Sequence, residues 1–147
     1  MLAQIAEARG GKTLVFTNGV FDVLHAGHVH LLERARALGD LLVVGLNSDE
    51  SVRRLGKGPD RPINPLEDRM AVVGALKPVD FVLSFEEDTP VELILALRPD
   101  VHVKGGDYDP ENLPEAPAVN SYGGRVVVVP LLEGRSSTEA IRRIRGG

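Results

Sequence analysis

Five short apolar runs set the limits on what this chain can become. Thr13–Thr17, Asp40–Leu46, Val79–Ser84, Val101–Lys104 and Arg125–Pro130 are each strand-length, and helical patterns separate most of them. Strands that are apolar at nearly every position are buried on both faces, as in a parallel sheet covered by helices on either side. The alternation predicts an α/β architecture, a doubly wound parallel sheet of five strands.

The intervening stretches carry their own start and stop signals. Residues 2 to 9 read as a short helix ended by Gly10-Gly11. From about Ala26, the apolar positions Leu31, Leu32, Ala35 and Leu38 follow the i, i+3, i+4 spacing of one helix face. Gly39 stands where a left-handed glycine would stop that helix. Asn64-Pro65-Leu66-Glu67 reads as N-cap, N1 and N3 of another helix, and Thr89-Pro90-Val91-Glu92 repeats the signal. Ser136 and Glu139 form the S-x-x-E box of a final helix running through Arg145. Residues 53–62 read as a polar, basic loop, and 109–122 as a proline-rich connection with one helical turn. At 147 residues without repeat or linker, one domain over 1–147 is expected.

Composition narrows the function. There is no cysteine, which excludes disulfides, thiolate zinc sites and a cysteine nucleophile. The formal net charge of −4 argues against a broad nucleic-acid footprint. The N-terminus has no basic region followed by an apolar core, and no apolar run is long enough to span a bilayer. A cytoplasmic protein with neither nucleic-acid nor membrane partners is expected.

The chemistry gathers at Thr17-Asn-Gly-Val-Phe-Asp-Val-Leu-His25-Ala-Gly-His28, where the first strand hands over to a helix. In an open α/β sheet, ligands bind beyond the carboxyl ends of the strands, and a helix N-terminus there offers free N–H groups to an anion. His25 and His28 add donors suited to the charge that builds on phosphate oxygens during displacement at phosphorus. The plainer alternative is two half-exposed histidines capping a helix, since H-x-x-H lacks the spacing and acidic partner of a zinc helix.

Three more groups fall at strand ends. Lys104-Gly105-Gly106 closes the fourth run, where a lysine meets phosphate and glycines admit a ligand close to the backbone; a tight turn with a solvated lysine is the alternative. Arg135, Ser136, Ser137 and Thr138 open the last helix, a set fitted to β- and γ-phosphates, although capping needs only Ser136. Arg53, Arg54, Lys57 and Arg61 crowd the loop after the second strand, as solvated surface or as a group that holds a substrate phosphate or closes over the site, with Lys57 its preferred member. Asn47 sits in a turn beside the first, either near substrate or capping the next helix. Asp22 and Asp107 either orient a sugar hydroxyl or hold Mg²⁺ through water, or serve only as turn formers.

These residues carry a resemblance. Thr17 to His28 resembles the H-x-G-H signature of the cytidylyltransferase-like nucleotidyltransferase superfamily, and Arg135-Ser-Ser-Thr138 its R-x-x-S-[ST]-T segment. Val44 to Arg54, Arg61 to Arg69, Phe85 to Pro90, Leu97 to Val101 and Val103 to Tyr108 more narrowly resemble the adenylyltransferase domain of ADP-heptose synthases. The resemblance covers residues 13 to 145 and implies the Rossmann-like fold of that superfamily. It implies a reaction of ATP with a heptose 1-phosphate, assisted by Mg²⁺, giving ADP-heptose and pyrophosphate. His25 and His28 would serve the triphosphate and leaving group, Lys104 and Lys57 the α-phosphate and incoming sugar phosphate. Arg135 to Thr138 would hold the β- and γ-phosphates, with Thr17, Phe21 and Gly106 lining the nucleotide pocket. Asp22, Asn47 and Asp107 remain substrate-side positions, and a homodimer is implied. Glycerol-3-phosphate cytidylyltransferase and FAD synthetase-like enzymes share the fold and the histidine turn, and a non-catalytic nucleotide sensor would use the same pocket.

Overall fold

The computed structural model describes residues 1–56, 58–131 and 137–146, with the side chains of Ser137 and Glu139 set aside. In chain order the elements are α1 (Leu2–Arg9), β1 (Leu14–Gly19), α2 (Ala26–Arg36), β2 (Leu41–Asn47), α3 (Asp49–Arg54), α4 (Leu66–Gly74), β3 (Phe81–Phe85), α5 (Val91–Leu97), β4 (Val101–Gly105), α6 (Ala116–Asn120), β5 (Arg125–Val129) and α7 (Ser137–Ile144). The strands form one parallel sheet in the order β3-β2-β1-β4-β5. The doubly wound parallel sheet is therefore present. The strand order reverses between β1 and β4, which makes their carboxyl ends the topological switch point.

Period-two alternation sorts the core onto both faces. Val15, Val101 and Val103 join Leu42, Val44 and Leu46 on one face, under Leu32 and Ala35 of α2 and Val73 of α4. Leu14, Phe16 and Val43 point the other way, against Ile5 of α1, Ile94 and Leu97 of α5 and Val119 of α6. Leu32 and Ala35 are fully buried, with Leu31 and Leu38 packed beside them, so the helix face legible in the sequence is the one that docks. Each such leucine contributes about 1.5–3 kcal/mol by leaving water.

Several local expectations change. Gly39 does not end α2 by a left-handed turn, since it is absent from the positive-φ glycines. Its role is steric: a Cβ there would sit 2.7 Å from Val15 Cγ2 and 2.9 Å from the Thr13 carbonyl. The start of the 53–62 loop is helical, because the Ser48 hydroxyl accepts from Ser51 N–H and nucleates α3. Residues 109–122 hold a 3-10 turn at Pro110–Asn112 as well as α6.

Helix α4 starts one residue later than its signal. Pro65 is the N-cap, and the Leu66 N–H goes to Asp49 Oδ1. The Asn64 amide instead donates to the Asp22 carbonyl, so a longer-range contact displaced the local cap. Helix α5 begins at Val91 after Pro90 with no side-chain cap. The Ser136 cap lies outside the described residues.

Arg69 of α4 ties these loops together. It is 1% exposed, and its guanidinium donates to the carbonyls of Val20, Asn47 and Asn64 and to the Asp49 carboxylate. A buried charge is tolerated only when paired and hydrogen-bonded, and these four acceptors supply that. One side chain thus fixes the turn after β1 to the turn after β2.

Candidate active site

The histidine turn is built by strain and capping together. After β1, Phe21 adopts a left-handed conformation with φ of 49°, uncommon for a non-glycine residue. Gly19 makes that possible, because a Cβ there would lie 2.9 Å from the Phe21 ring. The turn delivers His25 as the N-cap of α2. His25 Nδ1 accepts from Gly27 N–H at 3.0 Å, and His28 Nδ1 accepts from His25 N–H at 3.2 Å. The box is reciprocal, with imidazoles in the places that Ser and Glu usually fill. The ring centroids are 4.0 Å apart, and Phe21 backs His28 at 5.1 Å.

Capping therefore occupies the Nδ1 edge of both rings. A neutral imidazole that accepts at one nitrogen carries its proton on the other. Acceptance at Nδ1 makes Nε2–H the donor edge of each ring.

A cavity of about 310 Å³ opens beside this turn, at the carboxyl ends of β1 and β4. Its wall includes Phe21, Asp22, His25, His28, Lys104 and Thr138, all expected from the sequence. It also includes Asn18 and Tyr108, which sequence reasoning passed over, and Arg61, which it placed second to Lys57. The Lys104 ammonium stands 5.4 Å from the centre of the Tyr108 ring. Thr138 brings the first turn of α7 to the cavity, and an Arg145–Asp60 ion pair ties the far end of that helix to the loop preceding Arg61.

Other expected site residues stand elsewhere. Thr17 is buried, and its hydroxyl donates to the Val103 carbonyl at 2.8 Å, clasping β1 to β4 below the cavity. Asn47 is also buried, its amide on the Ser51 hydroxyl and its carbonyl on Arg69, so it braces the α3 turn away from the cavity wall. Asp107 is exposed and neither it nor Gly106 lines the cavity; a Cβ on Gly106 would meet the Tyr108 ring at 2.7 Å. Lys57, Arg135 and Ser136 lie outside the described residues, as does the side chain of Ser137.

Asp22, in the cavity wall, is held by the protein's own donors. Its side chain is fully buried, and its two oxygens accept from Arg61 Nε at 3.0 Å, Ile63 N–H at 2.6 Å and Asn64 N–H at 2.8 Å. Burial by itself would raise its pKa. The Ile63 and Asn64 N–H groups, and after them the Arg61 guanidinium, outweigh burial and hold the carboxyl below its usual value. With those acceptor sites committed to protein donors, Asp22 serves as the clamp that presents Arg61 to the cavity.

Behind β4, His102 stacks on Phe16 at 5.7 Å and its Nε2 lies 3.8 Å from Glu115 Oε2. That distance is too long for a hydrogen bond. The facing imidazole nonetheless lowers the Glu115 pKa more than burial raises it, and Lys104 lowers it further. Among the described residues no three His, Asp or Glu side chains come together as a metal site, and no helix is long and apolar enough to cross a membrane.

Known proteins share both sequence and shape with this chain. A family model described as cytidylyltransferase-like matches residues 16–143. A D-beta-D-heptose 1-phosphate adenylyltransferase from Bordetella bronchiseptica is 56% identical over 147 residues, all of this chain and 91% of that protein. The bifunctional protein HldE of Syntrophotalea carbinolica is 58% identical over 138 residues, 94% of this chain but 28% of its own length. The crystal structure of a lipopolysaccharide core biosynthesis protein from Thermoplasma volcanium superposes with a TM-score of 0.69 at 32% identity, covering 85% of this chain and 100% of that one. A match along residues 16–143, joined to relatives more than half identical over nearly the entire chain, places this nucleotidyltransferase in the cytidylyltransferase-like family.

Proposed function

We propose that the protein transfers AMP from ATP to a heptose 1-phosphate, releasing pyrophosphate and forming ADP-heptose. The observation that carries this reading is the paired imidazole cap, with two Nε2–H edges at the start of α2 and Lys104 across the same cavity. The identity to a heptose 1-phosphate adenylyltransferase supports the choice of nucleotide and acceptor.

In this reading the sugar phosphate attacks the α-phosphorus in line, and the bond to the β-phosphate oxygen breaks. No covalent enzyme intermediate is involved, so the protein supplies positioning and charge stabilisation. His25 and His28 donate to the triphosphate and its departing pyrophosphate, while Lys104 neutralises the α-phosphate. Arg135 to Thr138 hold the β- and γ-phosphates at the start of α7, and Lys57 with Arg61 faces the acceptor phosphate. Phe21 lines the nucleotide pocket, Thr17 acts through the β1–β4 clasp, and Gly106 acts by leaving room for the Tyr108 ring in its wall. Carried in on the triphosphate, Mg²⁺ would offset charge on its oxygens alongside the imidazoles and Lys104. The working assembly in this account is a cytoplasmic homodimer, checked by sedimentation.

Pyrophosphate release tests the proposal. Turnover is expected with ATP and heptose 1-phosphate, and the product should have the mass of ADP-heptose. A higher kcat/KM with CTP and glycerol 3-phosphate, or with ATP and FMN, would replace the acceptor and base assignments. Nucleotide binding without pyrophosphate from any pair would leave a sensor in place of a transferase.

A further inference from the structure

We infer that the side-chain amide of Asn18 receives a substrate hydroxyl, its Oδ1 accepting a hydrogen bond from a ribose or from the sugar of the acceptor. The inference rests on the nucleotidyl-transfer reading of the same pocket.

Asn18 is the next-to-last residue of β1, at the switch point where the cavity opens. Alternation puts it on the same face as Phe16, one pleat nearer the strand's carboxyl end. Phe16 pairs with His102 and Thr17 with Val103, so continuing the register sets Lys104 abreast of Asn18. On the other side its strand partner is Gly45, which has no side chain to offer it a partner.

The amide is out of place for a structural residue. Its Oδ1 is buried and has no hydrogen-bond partner among the described residues, although the residue lines the cavity. Buried polar atoms are nearly always paired, and an orphan in a ligand pocket calls for an explanation. Thr17 is satisfied by Val103 and Asn47 by Ser51, and the other orphaned side chains among the described residues, His102, Glu115 and Tyr122, stand off the cavity wall.

The missing partner must be a donor, because the orphan is a carbonyl oxygen. Phosphate oxygens only accept, so they suit Lys104 and repel Asn18 Oδ1. A hydroxyl is the donor that both a nucleoside and a sugar phosphate carry within reach of their phosphates. An asparagine beside a phosphate-binding lysine thus reads the carbon skeleton next to the phosphate.

Substrate analogues lacking one hydroxyl test this with the intact protein. Pyrophosphate release is measured for the wild type, Asn18→Ala and Asn18→Leu with ATP, 2′-deoxy-ATP and 3′-deoxy-ATP, and with heptose 1-phosphates deoxygenated singly. The wild type should disfavour one analogue about tenfold or more in kcat/KM, the scale for an unmade hydrogen bond, and both variants should lose that preference. Which analogue responds identifies ribose or acceptor as the source. Removing an orphan acceptor should leave the melting temperature of Asn18→Leu unchanged or raised. Retained discrimination against every analogue, an equal loss with all of them, or a fall of several degrees in melting temperature overturns the inference. Failure of the wild type to release pyrophosphate would instead count against the transfer reading. Titration calorimetry with the same ligands then decides Asn18 by itself: lost discrimination supports it and unchanged discrimination overturns it.

Discussion

Replacing His28 with alanine is expected to lower kcat about 10²-fold or more while the protein stays folded, the scale for losing one prepositioned donor to transition-state charge. The imidazole is held on three sides: Nδ1 accepts from His25 N–H, the tilted Phe21 ring packs behind it, and the His25 ring lies 4.0 Å away. In the proposed reaction that rigidity would put its Nε2–H in place before charge builds on the leaving pyrophosphate. The same substitution removes one arm of the α2 cap, which costs about 0.5–2 kcal/mol of stability. Stopped assays of pyrophosphate release, with circular dichroism on the same sample, separate the two effects. Near-normal turnover in a folded variant would remove His28 from the chemistry and leave it as a cap.

Asp22→Ala is expected to destabilise the protein by about 3–5 kcal/mol, the range for stripping one partner from a buried ion pair. Alanine leaves the Arg61 guanidinium, 5% exposed, without its carboxylate, and the Ile63 and Asn64 N–H groups without theirs. Asp22→Asn retains an acceptor oxygen and should lose less. The pH dependence carries the same signature. The folded-state pKa of Asp22 lies below its unfolded value, so the unfolded chain takes up protons first on acidification. The stabilisation is therefore complete above the unfolded value of about 4 and is lost as pH falls through the lower folded value. Urea denaturation from neutral pH downward should show a shallower acid loss for Asp22→Asn than for the wild type. Parallel curves would mean that the clamp contributes nothing beyond its neutral hydrogen bonds.

The sheet was legible because apolar runs and helix faces are short-range patterns. Leu31, Leu32, Ala35 and Leu38 could be placed on one face of α2 by spacing alone. The histidine turn was equally local, with both rings and their backbone partners inside four residues. What escaped depends on contacts between distant segments. Asn64 reads as a helix cap until Asp22, 42 residues away, takes its amide and N–H. The ion pair of Asp22 with Arg61, 39 residues away, is equally invisible until the loop carrying Arg61 folds onto it. Arg69 looks like an ordinary helix arginine, and only the closeness of Val20, Asn47 and Asp49 reveals it as a buried post. Gly39 likewise serves packing against β1, which no local stop signal distinguishes from a left-handed turn. Asn18 was hidden by its own position, because an orphan acceptor is visible only when all its neighbours are known.

The account depends on histidines, lysine and the opening turn of α7 meeting one triphosphate. A crystal structure with a non-hydrolysable α,β-methylene analogue of ATP measures this directly. Phosphate oxygens are expected within hydrogen-bond distance of His25 and His28 Nε2 and of Lys104 Nζ, with the β- and γ-phosphates at the start of α7. A nucleotide bound away from the carboxyl ends of β1 and β4, or phosphates turned away from both imidazoles, would contradict it.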